Sequence, residues 1–138
     1  NLAKEHYSHL SNLEFMISNK IPQGNYDLIF YNLVLHELNG KDSKKAIDNY
    51  LKKSYIYLKP GGIIFILDNR KISKKGFKSL YDKNQSPNKK SFDEEYSEHN
   101  KYTLNDWKRM IESVGFKTNY HKGLEPNLFK YHGVKRKK

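Results

Sequence analysis

The chain has 138 residues, 36% of them hydrophobic, no cysteine and a formal charge of +11. That length fits one domain with a core drawn from a few dense apolar runs, and the missing cysteines exclude a disulfide framework or a thiolate metal site. No N-terminal apolar stretch reads as a signal peptide or membrane span, so a soluble intracellular protein, cytoplasmic by default, is expected.

Positive charge suits phosphate neutralisation. Here, however, lysine far outnumbers arginine and accompanies abundant Asn, Ile and Tyr. AT-biased coding produces the same composition without functional pressure, so charge alone assigns no nucleic-acid site.

In chain order, Leu2, Ala3, His6, Tyr7 and Leu10 recur at helical spacing with no cap ahead of them. Leu13–Ile17 is a short apolar run suited to a strand, followed by a breaker-rich loop from Ser18 to Gly24. Tyr26–Tyr31 reads as a second strand. Apart from Asp27 it is apolar on both faces, which predicts a parallel strand with helices on both sides.

After a break at Asn39, Gly40 and Lys41, a helix is predicted over Ser43–Tyr57. Ala46, Ile47, Tyr50, Leu51, Tyr55 and Leu58 form its apolar stripe, and Lys44, Lys45, Asp48, Lys52 and Lys53 its wet face. Lys59 to Gly62 predicts a helix stop and turn, because proline cannot continue the helix and glycine tolerates positive φ. Ile63–Leu67 then reads as a buried strand. Strand, helix and strand in this order form a right-handed βαβ unit, so the C-terminal strand ends at Asn32 and Asp68 share one sheet edge. Ligands bind at that edge in open α/β sheets.

Asn69–Asn100 is the least regular part and reads as a helical excursion with a mobile lid or loop. Thr103 is a predicted N-cap with Asp106 at the third helical position, and Leu104, Trp107, Met110, Ile111 and Val114 give that helix an apolar stripe ended by Gly115. Phe116–His121 and Leu128–Val134 predict an antiparallel hairpin turning through Gly123, Glu125, Pro126 and Asn127. Lys135–Lys138 is a basic tail. No serine sits in a G-x-S-x-G elbow and no GxxxxGK[ST] loop occurs, which argues against an α/β hydrolase or a nucleotide triphosphatase. His6, His9, His121 and His132 show no metal-ligand spacing with acids, so no metal site is expected.

Three features together resemble the C-terminal half of a class I S-adenosylmethionine-dependent methyltransferase. They are Tyr26-Asp27-Leu28-Ile29 with Leu35-His36, then Leu58-Lys59-Pro60-Gly61-Gly62 before a strand, and finally a helix ending in Gly115-Phe116 ahead of a reversed strand pair. The resemblance runs from Leu13 onward. It implies an α/β, Rossmann-like, mostly parallel sheet with a C-terminal antiparallel hairpin, in which residues 1–138 supply strands three to seven and Asn69–Tyr102 a substrate-side insertion or lid. The family's glycine-rich loop and the acid ending its second strand have no counterpart here. The Tyr26–Tyr31 strand is therefore expected to lack a neighbour, which an N-terminal half or a partner chain would supply.

The cofactor that the resemblance implies is S-adenosylmethionine. Asn32 would face its methionine end, Tyr31 and Leu33 would pack beside it, and Ser18, Asn19 and Ile21 would meet the adenine. His36 and Asp68 are the catalytic candidates, His36 as a base or as a group orienting the cofactor loop, and Asp68 as a substrate-side residue or the cap of the next helix. Asn69 and Arg70 would line the same edge, with His99 and Tyr102 in the lid. Asp27 would have a structural, backbone-capping role, and Glu37 would be exposed. The acceptor would be a small molecule or RNA. A non-catalytic scaffold or regulatory, nucleic-acid-binding subunit with the same fold is the alternative.

Overall fold

A computed structural model describes residues 2–12, 14, 20–38, 43–117, 119–122 and 126–137. Most of the expected strand Leu13–Ile17 lies outside them, as do Ser18, Asn19, the break at 39–41 and most of the hairpin turn. Four strands form one sheet: β1 (Tyr26–Asn32), β2 (Leu58–Asn69), β3 (Asn119–Lys122) and β4 (Leu128–Val134), in the order β1-β2-β4-β3. β1 and β2 are parallel, while β4 runs antiparallel to both β2 and β3. The helices are α1 (Leu2–Tyr7), α2 (Ser43–Tyr57), α3 (Lys74–Lys83), α4 (Phe92–His99) and α5 (Leu104–Ser113). None of the helices described is long and apolar enough to cross a membrane.

The core follows from period-two alternation. Tyr31, Ile64, Ile66, Phe129 and Tyr131 point to one sheet face, where they pack with Ile47 and Leu51 of α2 and Trp107, Met110 and Ile111 of α5. α5 starts as expected, with a capping box between Thr103 and Asp106. The backbone N–H of Thr103 also donates to the Asp106 carboxylate, holding its pKa below the ordinary aspartate value.

Tyr31 anchors β1 to α2. Because the Ser54 hydroxyl donates to the Tyr50 carbonyl oxygen, the Tyr31 hydroxyl donates to Ser54 Oγ, at 2.6 Å. Burial pushes the Tyr31 pKa up to about 12.

Three expectations change. Lys59 to Gly62 lies inside β2 rather than forming a turn before it: pairing with β1 already begins at Leu58, and the register jumps between Tyr26↔Leu58 and Leu28↔Ile63. The segment is a bulge. Gly61 takes φ +82°, and a Cβ on Gly62 would sit 2.8 Å from the Lys59 carbonyl oxygen, so both positions suit glycine alone. The chain after β4 closes the bulge through Gly61 N–H to Lys135 O and Lys135 N–H to Gly62 O. Lys135 Nζ also donates to the Tyr55 and Leu58 carbonyl oxygens at the end of α2, which gives the first residue of the basic tail a helix-terminating role.

Among the described residues β1 is also not covered on both sides: α2 and α5 lie on one face only, so Leu28 and Phe30 on the other remain 58% and 53% exposed. The far edge of β1 has no partner strand among these residues. Among the described residues Asp27 caps no backbone group; its exposed carboxylate pairs with Lys59 Nζ at 3.1 Å.

The excursion after β2 is two short helices, each capped by a serine: Ser73 accepts from Gly76 N–H and Ser91 from Glu94 N–H. Phe77, Tyr81, Phe92 and Tyr96 join them in an aromatic cluster with centroid spacings of 5.4 to 6.0 Å. Its two ends are held side by side. Lys71 N–H donates to Tyr102 O, and the Asn100 side chain bonds both the N–H and the carbonyl oxygen of Ile72.

Candidate active site

β1 ends at Asn32, and Leu33 then takes φ +54°, a left-handed conformation uncommon for a branched, non-glycine residue. The backbone N–H of Leu33 still donates to Leu67 O, so the strand is held against β2 while the chain turns away from it. A single 3-10 turn, Leu35–Glu37, follows and buries Leu35 and His36. Asn32 and Leu33 stay exposed at this edge.

Asp68 fixes the turn. It is fully buried, and its Oδ2 accepts from the N–H groups of Leu35 at 3.1 Å and His36 at 3.3 Å. Its Oδ1 accepts from Asn69 N–H at 2.7 Å and meets His36 Nδ1 at 2.6 Å. With Asp68 accepting throughout, His36 Nδ1 is the donor, and the ring is oriented with Nε2 toward the open edge. Asp68 therefore does not cap the next helix, whose N-terminus is taken by Ser73.

The His36 ring is 3% exposed, and its Nε2 has two neighbours: Asn69 Nδ2 at 3.2 Å and His99 Nδ1 at 2.9 Å. His99 sits at the end of α4, with its Nε2 3.1 Å from Glu95 Oε2. Lys101 Nζ donates to the His36 carbonyl oxygen. Glu37 is exposed as expected, with Oε1 3.6 Å from His36 Nε2. Beside His99 lies a cavity of about 250 Å³, lined by Asn69, Phe77, Tyr81, Glu95 and Asn127 among others. Phe77 and Tyr81 give it an aromatic wall and Asn69, Glu95 and Asn127 polar ones, which suits a small guest that also hydrogen-bonds.

The fold thus gathers Asn32, His36, Asp68 and Asn69 at one edge and adds His99 from the excursion. Tyr31 stands apart, with its ring on the helix-covered face and its hydroxyl on Ser54. Ile21 is half-buried against the core, and Tyr102 hydrogen-bonds Ser43 at the start of α2. Glu95 and the pairing of His36 with His99 had no sequence signal, since the two histidines are 63 residues apart.

No protein-family model matches the sequence, and no curated protein does. Solved structures do match. A SAM-dependent methyltransferase from Aquifex aeolicus aligns at 20% identity with a TM-score of 0.59, over 96% of this chain and 60% of that one. Human N-acetylserotonin methyltransferase in complex with SAM gives 21% identity and 0.64, over 97% and 37%. A chain from the complex of the Haloferax volcanii Trm112 methyltransferase activator with the candidate methyltransferase it binds gives 9% and 0.67, over 97% and 66%. At these identities the likeness establishes the fold, an α/β sheet of the methyltransferase type. The chain spans between about a third and two-thirds of the length of the structures it matches.

Proposed function

We propose that this chain is the C-terminal, acceptor-side half of an S-adenosylmethionine-dependent methyltransferase, completed by an N-terminal half or a partner chain. Fold likeness supports the general class, and the open edge and open face of β1 support completion by further structure. The observation that carries the reading is the buried Asp68–His36 pair, which fixes the turn after Asn32 at the sheet edge where such folds take their ligands.

In this reading Asn32 bonds the amino or carboxylate group of the cofactor's methionine end, Leu33 packs beside it, and the loop of Ser18, Asn19 and Ile21 meets the adenine, while Tyr31 supports the strand from its helix-covered face. The cavity beside His99 takes a small acceptor with a hydroxyl or amine, an RNA terminus being the larger alternative, and Asn69–Tyr102 serves as its lid. Methyl transfer is an in-line displacement: the acceptor atom bonds the methyl carbon, the carbon–sulfur bond breaks, and its electron pair stays on sulfur to leave S-adenosylhomocysteine. The protein's task is alignment and exclusion of water, with help for the proton that the acceptor loses. His36, oriented by Asp68 and reached through His99, is placed to ease the loss of that proton.

The test is calorimetric titration of S-adenosylmethionine into the complete polypeptide that carries this chain. Saturable binding is expected, weakened roughly ten- to a hundredfold by Asn32→Ala, the loss of one charge-assisted hydrogen bond. Methyl label from the donor should then enter a mixed pool of small hydroxyl compounds, amines and RNA. Absence of both binding and transfer would leave the scaffold reading in its place.

A further inference from the structure

Two imidazoles face each other at the ligand edge. His36 Nδ1 donates to Asp68, and His99 Nε2 lies 3.1 Å from the accepting carboxylate of Glu95. The remaining nitrogens, His36 Nε2 and His99 Nδ1, face each other 2.9 Å apart, with Asn69 Nδ2 3.2 Å from the first. The Glu37 carboxylate completes the group, with all three ligand atoms within 4.8 Å of one another.

We propose that His36 Nε2, His99 Nδ1 and Glu37 bind a first-row divalent cation at the ligand edge, next to the cavity that His99 lines. Four observations carry this. The ligand set, two imidazoles and one carboxylate, suits iron(II), cobalt, nickel or zinc. Each imidazole has its outer nitrogen on a carboxylate, Asp68 or Glu95, the outer-sphere partner that metal-bound histidines nearly always have. Nitrogens 2.9 Å apart, each about 2.1 Å from one ion, subtend about a right angle there, which is the facial geometry of a five- or six-coordinate site. Finally, the carboxylates of Glu37, Asp68 and Glu95 outnumber the Lys101 ammonium held at the His36 carbonyl, so the surroundings favour added positive charge.

The use of the cation rests on the methyltransferase reading. A hydroxyl acceptor at an open position of the ion would be acidified there and lose its proton to water, so the cation would ease the deprotonation in place of His36. Binding of the ion rests on the geometry alone.

The experiment is metal titration of the complete protein without S-adenosylmethionine, using Co²⁺ for its visible absorption and Zn²⁺ to displace it. One Co²⁺ per chain is expected, with bands of a nitrogen- and oxygen-ligated ion that Zn²⁺ abolishes. His99→Ala should weaken binding at least a hundredfold. Glu95→Gln, which touches no ion, should weaken it roughly ten- to a hundredfold through the orientation of His99. Glu37→Gln alters an exposed residue and serves as the variant that keeps the fold; it should weaken binding about tenfold, with circular dichroism unchanged. Absence of stoichiometric Co²⁺ binding would overturn the proposal and leave a shared proton between the rings. Equal affinity in wild type and His99→Ala would overturn it too, as binding by other surface histidines. Failure of the methyltransferase reading alone would leave Co²⁺ binding intact with no uptake of S-adenosylmethionine, so the two failures are distinguishable.

Discussion

Asp68→Ala should cost about 3–5 kcal/mol of stability, read as a fall in the urea midpoint with little change in slope. The side chain is fully buried and is the acceptor for three backbone N–H groups and the His36 ring. Removing it leaves buried donors with no partner and no easy route to water. Total stabilities run at about 5–15 kcal/mol, so this single change approaches the whole margin. Asp68→Asn keeps the shape and one acceptor oxygen and should lose roughly half as much. A loss below about 1 kcal/mol for Asp68→Ala would show that the turn carrying His36 is held by packing of Leu35 instead.

Trp107→Ala should destabilise by a similar amount, about 3–5 kcal/mol. The indole is fully buried between Tyr102 and Phe129, with centroids 5.6 and 5.2 Å away, and its Nε1 donates to the Asn69 carbonyl oxygen at 2.8 Å. Trp107→Phe separates the two contributions. It keeps an aromatic ring but leaves the Asn69 carbonyl without its donor, so about 1–2 kcal/mol is expected. Because Asn69 also reaches His36 Nε2, the Trp107→Phe protein should show altered imidazole resonances for His36, a change that an ordinary core cavity would not produce. Unchanged His36 resonances would confine Trp107 to packing.

How much of this was legible depends on the distance over which each signal acts. The α2 stripe and the Thr103–Asp106 capping box are local patterns, and both helices form where those residues fall. Pro60-Gly61-Gly62 was local too but ambiguous: the same residues serve a turn or a bulge, and only pairing of Leu58 with Tyr26 decides it. α3 and α4 carry too few apolar residues to declare themselves; they form because Phe77 and Tyr81 meet Phe92 and Tyr96 across the pair. At the site, His36 and Asp68 were legible as two ends of adjacent strands. His99 was legible only as a lid residue, and its pairing with His36 was not, since a helix whose position depends on that aromatic cluster delivers it. Ser18 and Asn19 lie outside the described residues.

The closed neck at Lys71/Tyr102 and Ile72/Asn100 has a consequence for cooperativity. A segment whose two ends are tied together can come loose as a unit while the sheet keeps every one of its ladders, and its opening costs far less than global unfolding. Amide hydrogen exchange should therefore divide the molecule. Residues 74–99 should exchange together at a low free energy, and β2, α2 and α5 at the global one; protection of α4 equal to that of β2 would contradict this. In that opened state His99 departs with the segment while Asp68 keeps His36 in position, so the inner half of the site survives without its outer half.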